Sequence, residues 1–179
     1  MTLLIRHAES AWNEHFSASR IDVGLPDPPL TARGRDQARA AAEQLRGAGV
    51  TRLLTSPYRR TLQTAGIVAA ALEVPITIEP IVRERCAFSC DQGSSPAALA
   101  REWPELDFAG LEEVWWGGAI ESWPSLARRC GAFRAALRTM PDRRSLAVIS
   151  HWGFIRGLTG AELHNTESIR LADETAGDN

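Results

Sequence analysis

Two histidines and three arginines stand at or just beyond the ends of short apolar runs in this chain. Arg6-His7 follows Leu3-Leu4-Ile5, Arg59-Arg60 comes soon after Leu53-Leu54, and His151 comes just after Ala147-Val148-Ile149. A guanidinium grips phosphate through paired N–H groups and keeps its proton, so converging arginines define a pocket for a phosphoryl group. A neutral imidazole beside them can attack phosphorus, because the surrounding positive charge opposes its protonation. A metal centre is the weaker reading. Arg6 would repel a cation, and no carboxylate cluster accompanies the histidines. His15 reads as a solvated loop residue and His164 as a cation at the end of a helix.

These residues need strands to deliver them. Side chains at the carboxyl ends of strands in an open α/β sheet face the ligand crevice. The apolar runs predict strands at 2–6, 52–55, 76–81 and 146–150, with a last edge strand at Ser168–Leu171. A loop rich in Pro and Asp follows the first strand. Thr31 then caps a helix reaching about Arg46, with Ala38, Ala41, Ala42 and Leu45 on one face. Ser56-Pro57 turns the chain into a second helix, with Leu62, Ala65, Val68, Ala69 and Leu72 inward. Residues 84–95 show no period, and a short helix covers about 96–103. Ser122 and Pro124 open a long helix whose stripe is Leu126, Cys130, Phe133 and Leu137. A final helix is expected from about Gly153 to Leu163, and the polar stretch after Ala172 is expected to fray. Alternating strands and helices argue for parallel pairing with right-handed crossovers. The expected architecture is an α/β three-layer sandwich. Its central sheet is mostly parallel, with one antiparallel edge strand and helices on both faces.

A chain of 179 residues fits one domain. Its net charge of −2 provides no basic footprint, so nucleic acid is not an expected partner and a small anion is. Three cysteines cannot make a complete disulfide set, and no second Cys or His pair at zinc spacing accompanies Cys86 and Cys90. Reduced thiols in a cytoplasmic protein are the expectation. No run approaches the ~20 apolar residues that span a bilayer, and the opening residues do not read as a secretory leader. No Gly-x-Gly-x-x-Gly follows a strand, which argues against a dinucleotide site.

Four blocks in order along the chain carry a resemblance. They are Arg6-His7-Ala8-Glu9-Ser10 with Asn13, then Pro29-Leu30-Thr31-Ala32-Arg33-Gly34 with Gln37-Ala38. Ser56-Pro57-Tyr58-Arg59-Arg60-Thr61 with Gln63-Thr64-Ala65, and Ser150-His151-Trp152-Gly153, complete the set. With these blocks the chain resembles the histidine phosphatase superfamily, the phosphoglycerate mutase-like fold. The resemblance implies that His7 is the nucleophile that becomes phosphohistidine, and that Arg6, Arg60 and His151 hold the phosphoryl oxygens. His151 would also stabilise charge that develops in the transition state. Ser10 and Asn13 match positions lining the same pocket, although a cap role for Ser10 stays open. The family pattern sets its pocket arginine four residues after the serine, which selects Arg60 and leaves Arg59 to solvent. It also takes its proton donor from a carboxylate after the third strand, the place of Glu84. Flanking Arg83 and Arg85 leave a surface ion pair as the other reading of Glu84.

The chain departs from the family where many members carry a Gly-x-Trp-Glu-Gly-type stretch. Here Cys86-Ala-Phe-Ser-Cys-Asp-Gln-Gly93 stands in its place. Residues 84–121 read as an inserted, cap-like region within the single domain at 1–179. Trp115-Trp116 before Gly117-Gly118 could form a lid, but packing under a long loop is the favoured reading. Trp152 stands where a glycine is common, either narrowing the pocket or packing behind it. The resemblance implies a cofactor-free, metal-independent phosphatase acting on a phosphomonoester, with phosphate or a small phosphorylated substrate as its ligand. A phosphoglycerate mutase-type phosphotransferase and a non-catalytic phosphate binder are the alternatives. The edge strand leaves a homodimer open, and the substrate itself is not legible.

Overall fold

Runs of Leu, Ile and Val too short for helices build the sheet. The computed structural model describes residues 1–172; the stretch expected to fray, after Ala172, lies outside them. The strands are β1 (Leu3–Arg6), β2 (Arg52–Thr55), β3 (Ile76–Ile78), β4 (Leu146–Ser150) and β5 (Ser168–Arg170). The helices are α1 (Ala11–Ser19), α2 (Ala32–Leu45), α3 (Arg59–Leu72), α4 (Pro96–Glu102), α5 (Trp123–Thr139) and α6 (Trp152–Thr159). Strand order is β3-β2-β4-β1-β5, parallel throughout except for the antiparallel β1–β5 pair at one edge. The expected three-layer sandwich is what forms.

Alternate residues of each strand serve opposite faces. Leu4, Leu54 and Val148 pack under α5 and α6 against Leu126, Phe133 and Phe154. Ile5, Leu53 and Ile149 pack under α2 and α3 against Ala42, Leu45, Ala65 and Val68. Covered on both faces, β4 is buried at every residue. Each fully buried side chain of this kind contributes about 1.5–3 kcal/mol, which makes the three inner strands β2, β4 and β1 a firm base for the residues just beyond their ends. Register then aligns the chemistry. Arg6 lies opposite Ser150 and Thr55 opposite Ile149, so β1, β2 and β4 release His7, Ser56 and His151 at one edge of the sheet.

Several boundaries differ from those that the sequence predicts. Residues 11–19 form α1 rather than loop, with Ser10 and Asn13 making a reciprocal cap at its start. The helix ends at Arg20, whose φ is 59°. Its apolar signal is thin, because Trp12 is its only buried residue. β3 stops at Ile78, and Pro80–Val82 becomes a 3-10 turn, since proline has no N–H for the ladder. α6 stops at Thr159 because Gly160 adopts a left-handed φ of 77°. Trp115 packs edge-on against Tyr58 at 4.6 Å, and its indole N–H donates to the Ser94 carbonyl at 2.9 Å. With Leu62, Leu99 and Phe108 it makes a satellite core, in line with packing rather than a lid. No helix among the described residues is long and apolar enough to cross a membrane.

Candidate active site

His7 leaves β1 still bonded to its neighbour strand, its N–H donating to the Ser150 carbonyl at 2.9 Å. Its Nδ1 lies 2.7 Å from the Ala8 carbonyl oxygen. A carbonyl can only accept, so Nδ1 carries the hydrogen and Nε2 keeps its lone pair. Burial, then the charges of Arg60 and Arg6, hold the His7 pKa well below the ordinary imidazole value. The ring is therefore neutral at physiological pH, as a nucleophile must be.

His151 follows β4 and meets His7 edge-on, with ring centroids 5.1 Å apart. Its Nε2 is 2.9 Å from Ser56 Oγ, and its buried Nδ1 has no partner. Burial, then Arg60 and His7, also depress its pKa. It is fully buried behind His7 and is not among the residues lining the open cavity.

Arg6 donates from Nη1 to the Leu163 carbonyl at 2.8 Å and leaves Nε buried without a partner. Arg60, in the first turn of α3, is 3% exposed. It donates to the Cys90 carbonyl at 2.7 Å and to Asp91 Oδ1 at 3.2 Å, with its guanidinium 4.3 Å over the Tyr58 ring. Arg59, one residue away, pairs with Glu102 at 2.8 Å, away from the cavity.

Glu84 is half-buried on the cavity wall rather than paired at the surface. Arg83 approaches Glu121 instead, and Arg85 lies over Trp123. The Glu84 carboxylate caps α6. Oε1 accepts from Phe154 N at 3.1 Å and Arg85 N at 2.7 Å, while Oε2 accepts from Gly153 N at 3.1 Å. Burial, then the nearby Asp91 charge, raises its pKa, while the amides of Gly153 and Arg85 oppose the rise. Glycine at 153 leaves the carboxylate its place, because a Cβ there would collide with Glu84 Oε1 and push it aside.

Ser10 does cap α1 and lines the cavity as well. Asn13 Oδ1 accepts from Ser10 N at 3.1 Å and from Ser10 Oγ at 3.0 Å. Arg6, His7, Arg60 and Glu84 face the same cavity of about 790 Å³ as Ser10 and Asn13. Among the described residues, no group of three His, Cys, Asp or Glu is placed to hold a metal ion.

A sequence model of the histidine phosphatase superfamily (branch 1) matches residues 2–175, nearly the whole chain. The chain belongs to this superfamily. The probable phosphoglycerate mutase GpmB of Yersinia enterocolitica is 33% identical over 178 residues, covering 94% of this chain and 79% of that protein. A mycobacterial glucosyl-3-phosphoglycerate phosphatase, solved in complex with VO3, superposes with a TM-score of 0.65 at 21% identity. That match covers 93% of this chain and 88% of the other. A phosphoserine phosphatase of Entamoeba histolytica superposes with a TM-score of 0.60, also at 21% identity, over 94% and 89% of the two chains. These two structural likenesses bear on the fold. Proteins similar to this chain in sequence or in fold thus carry both mutase and phosphatase names.

Three residues at this candidate site were not singled out by the sequence. Asp91 is 2% exposed, pairs with Arg60 through Oδ1, and accepts the Ala87 and Phe88 amides through Oδ2, each at 3.0 Å. It stands in an aperiodic stretch where one Asp looks like any loop residue. Asn165 donates from Nδ2 to the His7 carbonyl at 2.9 Å, with no local signal to announce it. His164 lines the cavity and lies beyond α6 rather than at its end. His15 sits exposed on α1, outside the cavity, and Trp152 is among the residues that line the cavity. Chemically, the set is a neutral imidazole with a free lone pair between two fixed guanidinium groups, faced by a carboxyl that holds its proton above the usual range.

Proposed function

We propose that the protein hydrolyses a phosphomonoester through a phosphohistidine on His7, without a metal. The observation that carries this reading is the tautomer of His7. The Nδ1–H bond to Ala8 leaves Nε2 unprotonated beside Arg6 and Arg60. Nε2 attacks phosphorus, the bond from phosphorus to the ester oxygen breaks, and Glu84 gives its proton to the departing alcohol. Glu84, now a carboxylate, takes a proton from water. The hydroxide attacks phosphorus, the P–N bond breaks, and inorganic phosphate leaves with His7 neutral again. Arg6 and Arg60 neutralise charge on the non-bridging oxygens, and His151 supports His7 from behind. A small phosphorylated molecule is the expected ligand. A cytoplasmic setting, supported by three buried free cysteines, belongs to the same proposal.

The mutase names of the relatives favour a second reading, in which phosphohistidine returns its phosphoryl group to the substrate. That requires exclusion of water, whereas the cavity here is roomy and polar on one side. Hydrolysis of p-nitrophenyl phosphate in EDTA, by wild type and by His7→Ala, tests the proposal. Turnover that survives EDTA and disappears in His7→Ala is expected. A folded wild type that interconverts phosphoglycerates without releasing phosphate would make it a mutase. One that turns over nothing would make it a phosphate binder.

A further inference from the structure

The phosphoryl-binding end uses only part of the cavity. About 790 Å³ falls in the ~300–1,000 Å³ range of sites that hold drug-sized ligands, far more than a phosphoryl group fills. The remainder has an aromatic wall. Trp12 and Phe16, one turn apart on α1, stack at 4.4 Å with a 12° angle between planes. Phe88 closes the triangle at 5.1 Å from Trp12 and 5.4 Å from Phe16, and all three rings line the cavity. Phe88 is nevertheless 44% exposed, so it presents a ring to the open space. An apolar surface left open beside a charged pocket marks a binding site more readily than a packing accident.

The wall is fixed in place. Asp22 accepts from the Trp12 indole N–H at 3.0 Å and from Ser89 N at 2.8 Å, tying α1 to the segment that carries Phe88. Asp91, which holds Arg60, also accepts the Phe88 amide. One carboxylate therefore sets both the phosphate-binding arginine and the aromatic wall.

We infer that the substrate's alcohol carries a flat aromatic ring, which stacks against Phe88, the open ring of this wall, while the phosphoryl group sits at His7. This inference rests on the phosphatase reading for the identity of the phosphoryl site. A short polar alcohol, such as a three-carbon acid, has nothing to place against the wall. An aromatic ring gains stacking that alanine substitution elsewhere values at roughly ten- to hundred-fold in affinity.

Binding to the inactive His7→Ala protein separates recognition from turnover. Dissociation constants are measured by calorimetry for two matched pairs: adenosine 5′-monophosphate against ribose 5-phosphate, and 2-phenylethyl phosphate against propyl phosphate. Within each pair the phosphoryl group and primary alcohol are alike and only the ring differs. The ring-bearing member of at least one pair is expected to bind about ten- to hundred-fold tighter. The pair that shows it identifies a nucleobase or a simple arene as the ring. Adding Phe88→Ala is expected to bring that ratio towards one. Phe88→Leu, which keeps apolar bulk but not the ring, should do the same if stacking is the cause. Equal affinities in both pairs, or a ratio unchanged in both Phe88 variants, would overturn the inference. Failure of the phosphatase reading would show separately, as a wild type that does not release phosphate from p-nitrophenyl phosphate.

Discussion

Gly153→Ala isolates the contact between Glu84 and the start of α6. In an ordinary helix this change stabilises by about 0.5–1 kcal/mol, because alanine loses less backbone freedom on folding. Here the new Cβ would collide with Glu84 Oε1 and stand 3.2 Å from its Cδ and 3.3 Å from Arg85 Cβ. Carbon atoms prefer about 3.5–4.0 Å, so the carboxyl must move. It is held by three amides and cannot swing aside freely. Giving up the bonds to Gly153 and Phe154 costs about 1.5–3 kcal/mol each if Glu84 is charged and about 1 if it is neutral. Water from the cavity recovers part of this, and the helix gain offsets more. The net loss is about 1–3 kcal/mol, or a Tm about 2–12 °C lower for a domain of this size. Activity on alkyl phosphates should drop by about 10²–10⁴-fold, the usual worth of a placed proton donor. Aryl phosphates, whose leaving groups need no proton, should suffer less. Gly131→Ala on α5 is the control, since nothing lies within 4 Å of a Cβ there, and it should stabilise. The assay is kcat on glycerol phosphate and on p-nitrophenyl phosphate, with thermal unfolding of both variants. If Gly153→Ala raises Tm as Gly131→Ala does and keeps its alkyl turnover, the role assigned to the Glu84 cap is wrong.

Two further expectations concern charge. In Asp91→Asn, burial still raises the Glu84 pKa but the second cause of the rise is gone. Glu84 must be protonated for the first step, so the alkaline limb of kcat on alkyl phosphates should move to lower pH; an unmoved limb would separate the two carboxyls. His7 and His151 titrate below 6.5 when folded and near 6.5 when unfolded, so the unfolded chain binds more protons just below pH 6.5. Their contribution to stability is complete above pH 6.5 and falls as pH drops through and below it, by up to about 3 kcal/mol per unit for the pair. Glu84, with its raised pKa, works in the opposite sense, so urea unfolding is best followed from pH 7.5 to 5 in Glu84→Gln. A flat profile there would mean that the histidines take up protons as readily in the fold as in the unfolded chain.

Local sequence carried a large share of this protein's organisation. The alanine stripe of α2, the Leu126-Cys130-Phe133-Leu137 stripe of α5 and the unbroken apolar run of β4 are one-dimensional signals. All of them are buried as their spacing implies. Strand ends marked Arg6, His7 and His151, and chain order together with family blocks marked Arg60 and Glu84. What sequence could not name are the contacts that act across the chain. Asp91 reaches Arg60 over 31 positions, Glu84 reaches Gly153 over 69, and Asn165 reaches His7 over 158. Neither partner in these pairs has a neighbour whose type or spacing announces the other, because the contact exists only after β1, β2 and β4 align in register. The aromatic wall is of the same kind. Trp12 and Phe16 share one helix, but Phe88 joins them only through Asp22 and Asp91. Periodicity reports which face a segment buries; only the assembled sheet decides which distant side chains meet at its edge.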